Sequence, residues 1–527
     1  MKTAILLYSF LNYYSIYSSV LLFFSKLTPS LNQNFMQMTS AAEYENAIEG
    51  WRNDYVYNRN SKKGWEILEN LVKMQTEGNQ QMETDEVSEN CAAFDDFSTN
   101  QLIKLIIGDF TVKDLLVDHQ VVLLEFIPSA HPNILRHVAR IIREKEGALP
   151  LLKTESIAVG IAFARRITDG DAGEEIGRLL AHLVDNEKIC DELKFILKNN
   201  TGRNNAMNRA SIFSIATERA RISTDASCIR WLYEEILKVV LDNDDMLAQL
   251  DAINIFGDIA LSGKQNAEKL IEWKIVEKIS ELMERSRQNP DHGEMHLYGT
   301  RFFCYLARSC PQVLKTFPDF VNRLMFEIRI FNDLGISDRL AAFDHFGCLC
   351  YSVEAKEMLE DMFKNTNTLD STLAAAGAAF AMGSIEMKRC TIQAITLIFE
   401  NATDAMASSW YGLMGDKALT QVALDNVKKP FPELKNCIYD FWQQVFKYPT
   451  IVQKFIAFPG FINWSLDEKS ENSPEYEMRK RQVIRRVIEL SEKESNILNA
   501  DAELIGRLKK YLQPSAAPAP RVEEMAL

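Results

Sequence analysis

The chain contains little glycine and proline for its size, with 22 Gly and 15 Pro among 527 residues. Because these residues interrupt helices, their scarcity leaves room for long helical segments. The chain also lacks an excess of positive charge: 59 Lys and Arg stand against 73 Asp and Glu, a net charge of −14. Neutralising phosphates requires a basic surface, so this balance argues against nucleic acid as the principal partner.

Motifs for nucleotide and metal chemistry are also missing. Gly263-Lys264 is followed by Gln265 rather than Ser or Thr, and no glycine-rich loop precedes it. His292 and His296 are four residues apart, but glycine follows His292 where a zincin has its catalytic Glu. We expect no catalytic, metal or cofactor site, and hence no enzyme. A Ser or Cys nucleophile paired across space remains an alternative.

Cysteine is present in an odd number, nine, which forbids complete intramolecular pairing. Most of the cysteines fall within apolar helical patterns. Cys348 and Cys350 lack a second thiol pair at the spacing of a zinc finger. The pattern therefore predicts small core residues in a reducing compartment.

The N-terminus favours a different compartment. Residues 4–24 carry no charge and are long enough to cross a hydrocarbon layer of about 30 Å, which is typical of a signal peptide or an anchor. However, several serines interrupt the stretch, and Met36 and Met38 resemble an ordinary cytosolic start. Residues 1–37 are interpreted as an upstream extension of the gene model, with a targeting segment or an interfacial helix as alternatives.

Aromatic residues recur in one register from residue 213 to residue 442. They are separated by 43, 47, 43, 53 and 43 residues, and apolar or small residues follow at positions +3 and +4 on the same helical face. They are Phe213, Phe256, Phe303, Phe346, Phe399 and Trp442. This period predicts an all-α solenoid of armadillo/HEAT-like repeats, an α-α superhelix. Such proteins bind other macromolecules.

The predicted solenoid covers residues 38–512. It contains an acidic loop near 75–96 and a polar hinge near 467–474, and a disordered Pro/Ala-rich tail follows at 513–527. The strongest repeats follow residue 204, where helices are predicted over 246–261, 266–287, 295–309, 313–331, 338–351 and 354–364. Small residues surround Gly377, which would let another helix approach closely.

One basic cluster contrasts with the acidic composition, on a helix predicted over 476–491. It consists of Arg479, Lys480, Arg481, Arg485 and Arg486. Arg481 and Arg485 share one helix face, as do Arg479 and Arg486. A solvated helix surface is the simpler interpretation. The alternative is a partner-binding patch that receives a carboxylate from a partner's acidic segment or C-terminal tail.

Three short segments resemble the 26S proteasome non-ATPase regulatory subunit 5 family. They are Ser-Ser-Trp-Tyr-Gly-Leu-Met at 408–414, Lys-Pro-Phe-Pro-Glu-Leu-Lys at 429–435, and Phe-Pro-Gly-Phe at 458–461. The resemblance is specific between residues 410 and 486 and extends over 38–512 as a helical array. The proline-rich segment at 430–434 is interpreted as a helix start rather than a contact site.

This resemblance implies a chaperone for assembly of the regulatory particle base. Such a chaperone binds an AAA-ATPase subunit of the base, or base precursors, through the ATPase C-terminal domain and leaves before the mature proteasome forms. The implied location is the cytoplasm, with the nucleus as a second compartment.

Two alternatives remain. An armadillo-type scaffold or transport adaptor is one, although no tryptophan here has Asn four residues later, as ladders for basic signal peptides require. A secreted or membrane-anchored protein is the other, and it depends on residues 4–24.

Overall fold

The computed structural model describes residues 110–200, 206–223, 226–242, 245–286, 293–471, 473–493 and 502–513. Two compact units divide the chain, one up to Ile236 and the other from Leu237. The predictions for residues 1–37, the loop at 75–96 and the tail beyond residue 513 lie outside the described residues. Within the described ranges, no helix combines the length and apolar character needed to cross a bilayer.

In the first unit, a helix packs against the helix that comes two or three places later in the chain. Contacts join α1 to α4, α2 to α5, α4 to α6 and α5 to α7. The helices are α1 (Gln120–Ser129), α2 (Pro132–Glu144), α3 (Ala148–Lys153), α4 (Ile157–Arg165), α5 (Gly173–Ala181), α6 (Glu187–Asn199), α7 (Ala206–Ile222) and α8 (Arg230–Leu241), the last of which crosses the division between the units.

The second unit continues with helices in short groups. The helices are α9 (Met246–Leu261), α10 (Lys264–Glu272), α11 (Ile275–Ser286), α12 (Gly293–Ser309), α13 (Val313–Thr316), α14 (Pro318–Arg329), α15 (Ile336–Leu349), α16 (Val353–Phe363), α17 (Thr368–Met382), α18 (Ile385–Phe399), α19 (Asp404–Leu413), α20 (Asp416–Val427), α21 (Pro432–Val445), α22 (Pro449–Ile456), α23 (Pro459–Leu466), α24 (Pro474–Lys493) and α25 (Ala502–Leu512).

In the second unit, one helix of each group packs against the corresponding helix of the following group. This core row consists of α9, α12, α15, α18, α21 and α24, whose first residues recur every 42 to 49 positions. Neighbours in the row are parallel. Arg301 Nη1 of α12 donates to Asn254 Oδ1 of α9 at 3.2 Å, and an added Cβ at Gly257, three residues further along α9, would lie 3.5 Å from the ring of Tyr305, four residues further along α12. In α18 and α21, Arg389 lies near Glu433 at the helix starts, and Gln444 Nε2 donates to the carbonyl of Phe399 at the helix ends. The described ranges contain no strand. The predicted all-α helical-repeat fold is confirmed.

The repeated aromatic positions form the centre of the row. Phe256, Phe303, Phe346 and Trp442 are each the eleventh residue of their helix and are buried. Phe399 is buried too, but it is the fifteenth residue of α18. The prediction that it belongs to the same register is therefore wrong by one turn. Buried Ile395 occupies the equivalent place, which accounts for the irregular spacing of 53 residues.

Two helices predicted as single are each divided. The helix predicted over 266–287 is interrupted at Lys274, whose φ of 58° lies in the left-handed region. The helix predicted over 313–331 ends before Pro318, because proline pushes Phe317 out of the helical region (φ −126°, ψ 67°). These repeats therefore contain three helices rather than two.

Gly377 provides the close approach that the sequence indicated. An added Cβ would lie 1.8 Å from the carbonyl oxygen of Met414, the residue that follows α19. No side chain fits in that space, so α17 and the end of α19 pack backbone against backbone.

Candidate interaction surface on the C-terminal helices

The predicted basic cluster lies on α24, the last helix of the core row. Gln443 Nε2 of α21 donates to Gln482 Oε1 of α24 at 3.2 Å, and the apolar side of α24 is buried. Since one side of the helix is committed to packing, its five cations cannot all face solvent.

Lys480 points into the protein. It is 0% exposed, and its Nζ donates to Asp467 O at 2.6 Å and to Ser470 Oγ at 2.9 Å. The rings of Trp464 and Tyr511 lie 5.3 and 4.6 Å from Nζ. Burial lowers the pKa of the Lys480 ammonium to about 8. This lysine therefore holds the segment before α24 against that helix, and its charge is not at the surface.

Arg479 and Arg481 are partly buried and paired within the chain. Arg479 Nη1 lies 2.9 Å from Asp440 Oδ1 on α21. Arg481 Nε lies 2.7 Å from Glu477 Oε1, and its Nη1 donates to the carbonyl of Leu512 at 3.4 Å. These two arginines join α24 to the helices on either side of it.

Arg485 and Arg486 remain as the outward-facing cations. Arg486 Nε donates to Phe446 O, and its Nη1 lies 3.3 Å from Glu489 Oε2, with 37% of the side chain exposed. Arg485 is exposed and has no ion pair with any residue in the described ranges. Any carboxylate received on this helix would therefore meet Arg485 first. Partner binding by the five-residue patch stays a prediction.

A buried ion pair lies next to this helix, and the sequence analysis did not predict it. The Glu471 side chain is 0% exposed and forms an ion pair with Lys435 of α21. Tyr439 Oη donates to Glu471 Oε1 at 2.7 Å, and burial followed by this hydrogen bond raises the pKa of Tyr439 far above its ordinary value. The predicted polar hinge at 467–474 is thus held by contacts from Lys435, Tyr439 and Lys480.

A signal for this pair was present in the sequence. Lys435 precedes the buried Ile438 and Trp442 by three and seven residues, so it lies on the apolar face of α21. A lysine on such a face requires a partner. The sequence does not reveal that the partner is Glu471, because that residue lies outside any helix.

The segments that carried the family resemblance are structural. Trp410 is buried and its Nε1 donates to Glu360 Oε1 at 2.8 Å, while Tyr411 Oη lies 2.8 Å from Thr420 Oγ1. Pro432 is the first residue of α21, so the interpretation of its segment as a helix start is confirmed.

Comparison with solved structures finds distant likenesses. An engineered protein is 12% identical, with 84% of this chain and 98% of that chain covered and a TM-score of 0.36. A karyopherin bound to the extreme C-terminus of a protein phosphatase is 10% identical, with 92% and 57% covered and a TM-score of 0.42. Importin beta is 10% identical, with 94% and 77% covered and a TM-score of 0.38.

No curated protein matches the chain. A family model does match, and its description is proteasome non-ATPase 26S subunit. The match extends over residues 48–524, which includes most of each unit and every helix described above. The chain therefore belongs to the proteasome non-ATPase 26S subunit family.

Proposed function

We propose that this protein is an assembly chaperone for the base of the proteasome regulatory particle, of the subunit 5 type. It binds an AAA-ATPase subunit through the ATPase C-terminal domain and is released before the mature proteasome forms. The observation that carries the proposal is the family match over residues 48–524, within which lie the three segments that resemble subunit 5. Stacked helical repeats suit this role, because each repeat adds surface to an extended binding site.

The proposed action is steric and requires no catalysis by the chaperone. An ATPase subunit whose C-terminal domain or tail is held by the chaperone cannot dock prematurely on the proteolytic core. We propose Arg485, with Arg486 beside it, as the receptor for a carboxylate of that partner, because these guanidinium groups face outward. The proposed location is the cytoplasm, with the nucleus as a second compartment.

A partner of this kind must be bound and later released. Contacts between exposed charges suit that requirement, because each contributes about 1 kcal/mol or less and is screened by salt. The buried cations Lys435 and Lys480 are unsuited to it, since their charges already interact within the chain.

The first experiment is isolation of the native complex. The chain is tagged at its C-terminus in its own cells and purified gently, and mass spectrometry identifies the N-terminal peptide and every co-purifying protein. Base ATPase subunits without stoichiometric proteolytic core, on a chain that begins at Met36 or Met38, are the expected result.

Other results would identify the alternatives. A processed or membrane-fractionated chain without ATPase subunits would overturn the proposal in favour of a targeted protein. Transport cargo or junctional proteins in place of the ATPases would favour a scaffold or adaptor. Stoichiometric recovery in mature, proteolytically active particles would contradict release before maturation.

A further inference from the structure

Exposed apolar side chains line one edge of the second unit. Ile336 and Ile385 are the first residues of α15 and α18 and are 70% and 46% exposed. Phe431, 37% exposed, immediately precedes α21, and Met382, 74% exposed, ends α17 just before α18. These four residues constitute the apolar edge. It recurs at the same place in three consecutive repeats, whereas incidental apolar exposure is scattered.

The three helix starts lie side by side because the core row is parallel. Cys390, the sixth residue of α18, donates from Sγ to the carbonyl of Leu340, the fifth residue of α15, at 3.2 Å. Arg389 Nε of α18 lies 3.8 Å from Glu433 Oε2, the second residue of α21. The N-terminal ends of α15, α18 and α21 are therefore adjacent, in that order.

Each of these helices also presents an acidic residue in its first turn. Asp338, Glu386 and Glu433 are all exposed, and Asp338 and Glu386 make no ion pair with any residue of the described ranges. Acidic residues stabilise a helix N-terminus through the helix dipole. That accounts for the charge, but it does not account for the exposed apolar side chain beside each one.

Three cations near the same turns are bonded within the chain. Arg339 Nη2 donates to the carbonyl of Leu334 at 2.9 Å, and Lys388 Nζ donates to the carbonyl of Gly383 at 2.7 Å. Lys435 is buried against Glu471. Lys428 and Lys429, near Phe431, are exposed cations, and the Arg389 side chain of α18 is 38% exposed beside Glu433. The exposed acidic side chains without an ion pair in the described ranges are therefore those of Asp338 on α15 and Glu386 on α18. The apolar edge thus places two exposed acidic side chains, Asp338 and Glu386, close to Ile336 and Ile385.

The spacing of the edge distinguishes between kinds of partner. Packed helices are about 8–10 Å apart, so the apolar residues of successive repeats are separated by about that distance. Seven residues of an α-helix rise about 10.5 Å and return to nearly the same face. Three residues of an extended strand rise about 10 Å but reverse the face of the side chain. A helix matches this edge, and an extended segment does not.

We propose that the apolar edge is a docking surface for an amphipathic helix of a partner protein. That helix carries apolar residues at seven-residue intervals, which pack on Ile336, Ile385 and Phe431 in turn. Lys or Arg residues beside its apolar stripe pair with Asp338 and Glu386. This surface is separate from the Arg485 region of α24, and it does not depend on the proposed chaperone role.

A labelled synthetic peptide tests the proposal by fluorescence anisotropy with the full-length chain. The peptide is a helix of about 18 residues, about 27 Å long, with Leu at seven-residue intervals and Lys on both flanks. We expect it to bind with an affinity that falls as salt is added, because rim charges contribute. A peptide of the same composition with the leucines rearranged to alternate positions should bind at least about tenfold more weakly.

Two double variants locate the binding on the chain. Ile336→Ser with Ile385→Ser should weaken binding by about tenfold or more, and Asp338→Asn with Glu386→Gln should weaken it and reduce its salt dependence. The matched controls are Phe195→Ser, an equally exposed apolar residue of the first unit, and Glu357→Gln with Asp370→Asn, exposed acids elsewhere in the second unit. Both controls should bind the peptide as the wild type does.

Three results would overturn the proposal. One is equal binding of the heptad and rearranged peptides, and another is unchanged binding by both edge variants. The third is concentration-dependent dimerisation of the wild type that the Ile336→Ser, Ile385→Ser variant abolishes, since a second copy would then cover the edge. Because the substituted side chains are exposed, circular dichroism should show that every variant remains folded.

Discussion

The ammonium group of Lys435 and the carboxylate of Glu471 form an ion pair away from solvent, 36 residues apart in the chain. Tyr439 donates its hydroxyl proton to the same carboxylate at 2.7 Å. The pair therefore joins α21 to the segment that leads into the basic helix α24. Together with the hydrogen bonds from Lys480, it holds that segment in place.

Glu471→Gln should destabilise the C-terminal helices by about 3–5 kcal/mol, because it leaves the buried ammonium of Lys435 without a counter-charge. Trp442 and Trp464 lie nearby in α21 and α23, so tryptophan fluorescence during urea unfolding can follow this region. The control is Lys435→Met combined with Glu471→Leu, which should recover most of the loss. A loss below about 0.5 kcal/mol for Glu471→Gln would contradict the importance of the pair.

Gly377→Ala should destabilise the protein by about 1–3 kcal/mol or more, because the new methyl group would collide with the carbonyl of Met414. Gly412→Ala is the matched control, since it also lies within a helix, in the last turn of α19, and an added Cβ meets nothing within 4 Å. That control should be neutral or stabilising by about 0.5–1 kcal/mol. Thermal unfolding measured by circular dichroism compares the two, and equal melting temperatures would contradict the close approach.

His345 should make stability fall as the solution is acidified. Burial, assisted by nearby Arg301, lowers the pKa of its imidazole from 6.5 to about 4. Between pH 6.5 and about 4, this imidazole binds a proton in the unfolded chain but stays neutral in the folded chain. Stability is therefore lost as the pH falls through this range, and the loss levels off below about pH 4. The total is on the order of 3 kcal/mol.

Replacing this histidine tests the pH dependence. His345→Leu should remove that part of the slope, which urea unfolding at several pH values would measure. His119 on the first unit is a suitable control position, because it is not buried. If the wild type and His345→Leu lose stability in parallel between pH 6.5 and 4, the buried imidazole is not responsible.

Arg485→Glu should weaken binding of a base ATPase subunit by about tenfold while changing stability by less than about 0.5 kcal/mol, because the side chain is exposed. Surface plasmon resonance with the purified ATPase C-terminal domain measures the first effect, and thermal unfolding measures the second. Lys428→Glu, another exposed cation of the second unit, is the charge-matched control. Binding that is unchanged by Arg485→Glu would remove α24 from the proposed interface.

Local periodicity in the sequence revealed the fold but not the orientation of individual charges. The eleventh-residue aromatics of α9, α12, α15 and α21 were visible because burial repeats with the helical period. Phe399 was misassigned because an aromatic residue one turn later satisfies the same face. The extra helix in each group escaped prediction because a single residue, Lys274 or Pro318, makes the break.

The basic cluster shows a different limit of sequence reasoning. Five cations within eight residues predicted one surface, yet Lys480 is buried and Arg485 is exposed. Residues five positions apart point to different sides of a helix, and the sequence alone did not indicate that two sides of α24 are covered. The segment before α24 covers one of these sides, and the polar groups that accept hydrogen bonds from Lys480, Asp467 O and Ser470 Oγ, lie outside regular structure.

Protein synthesis runs from the N-terminus, so Lys435 leaves the ribosome well before Glu471 does. Until the later segment emerges, α21 carries an ammonium group on the face that it must bury, and its packing cannot be completed. A chain stopped between these residues would keep that unfinished face and remain exposed to proteases. The Lys435–Glu471 pair thus makes completion of the packing of α21 depend on synthesis of the segment that contains Glu471.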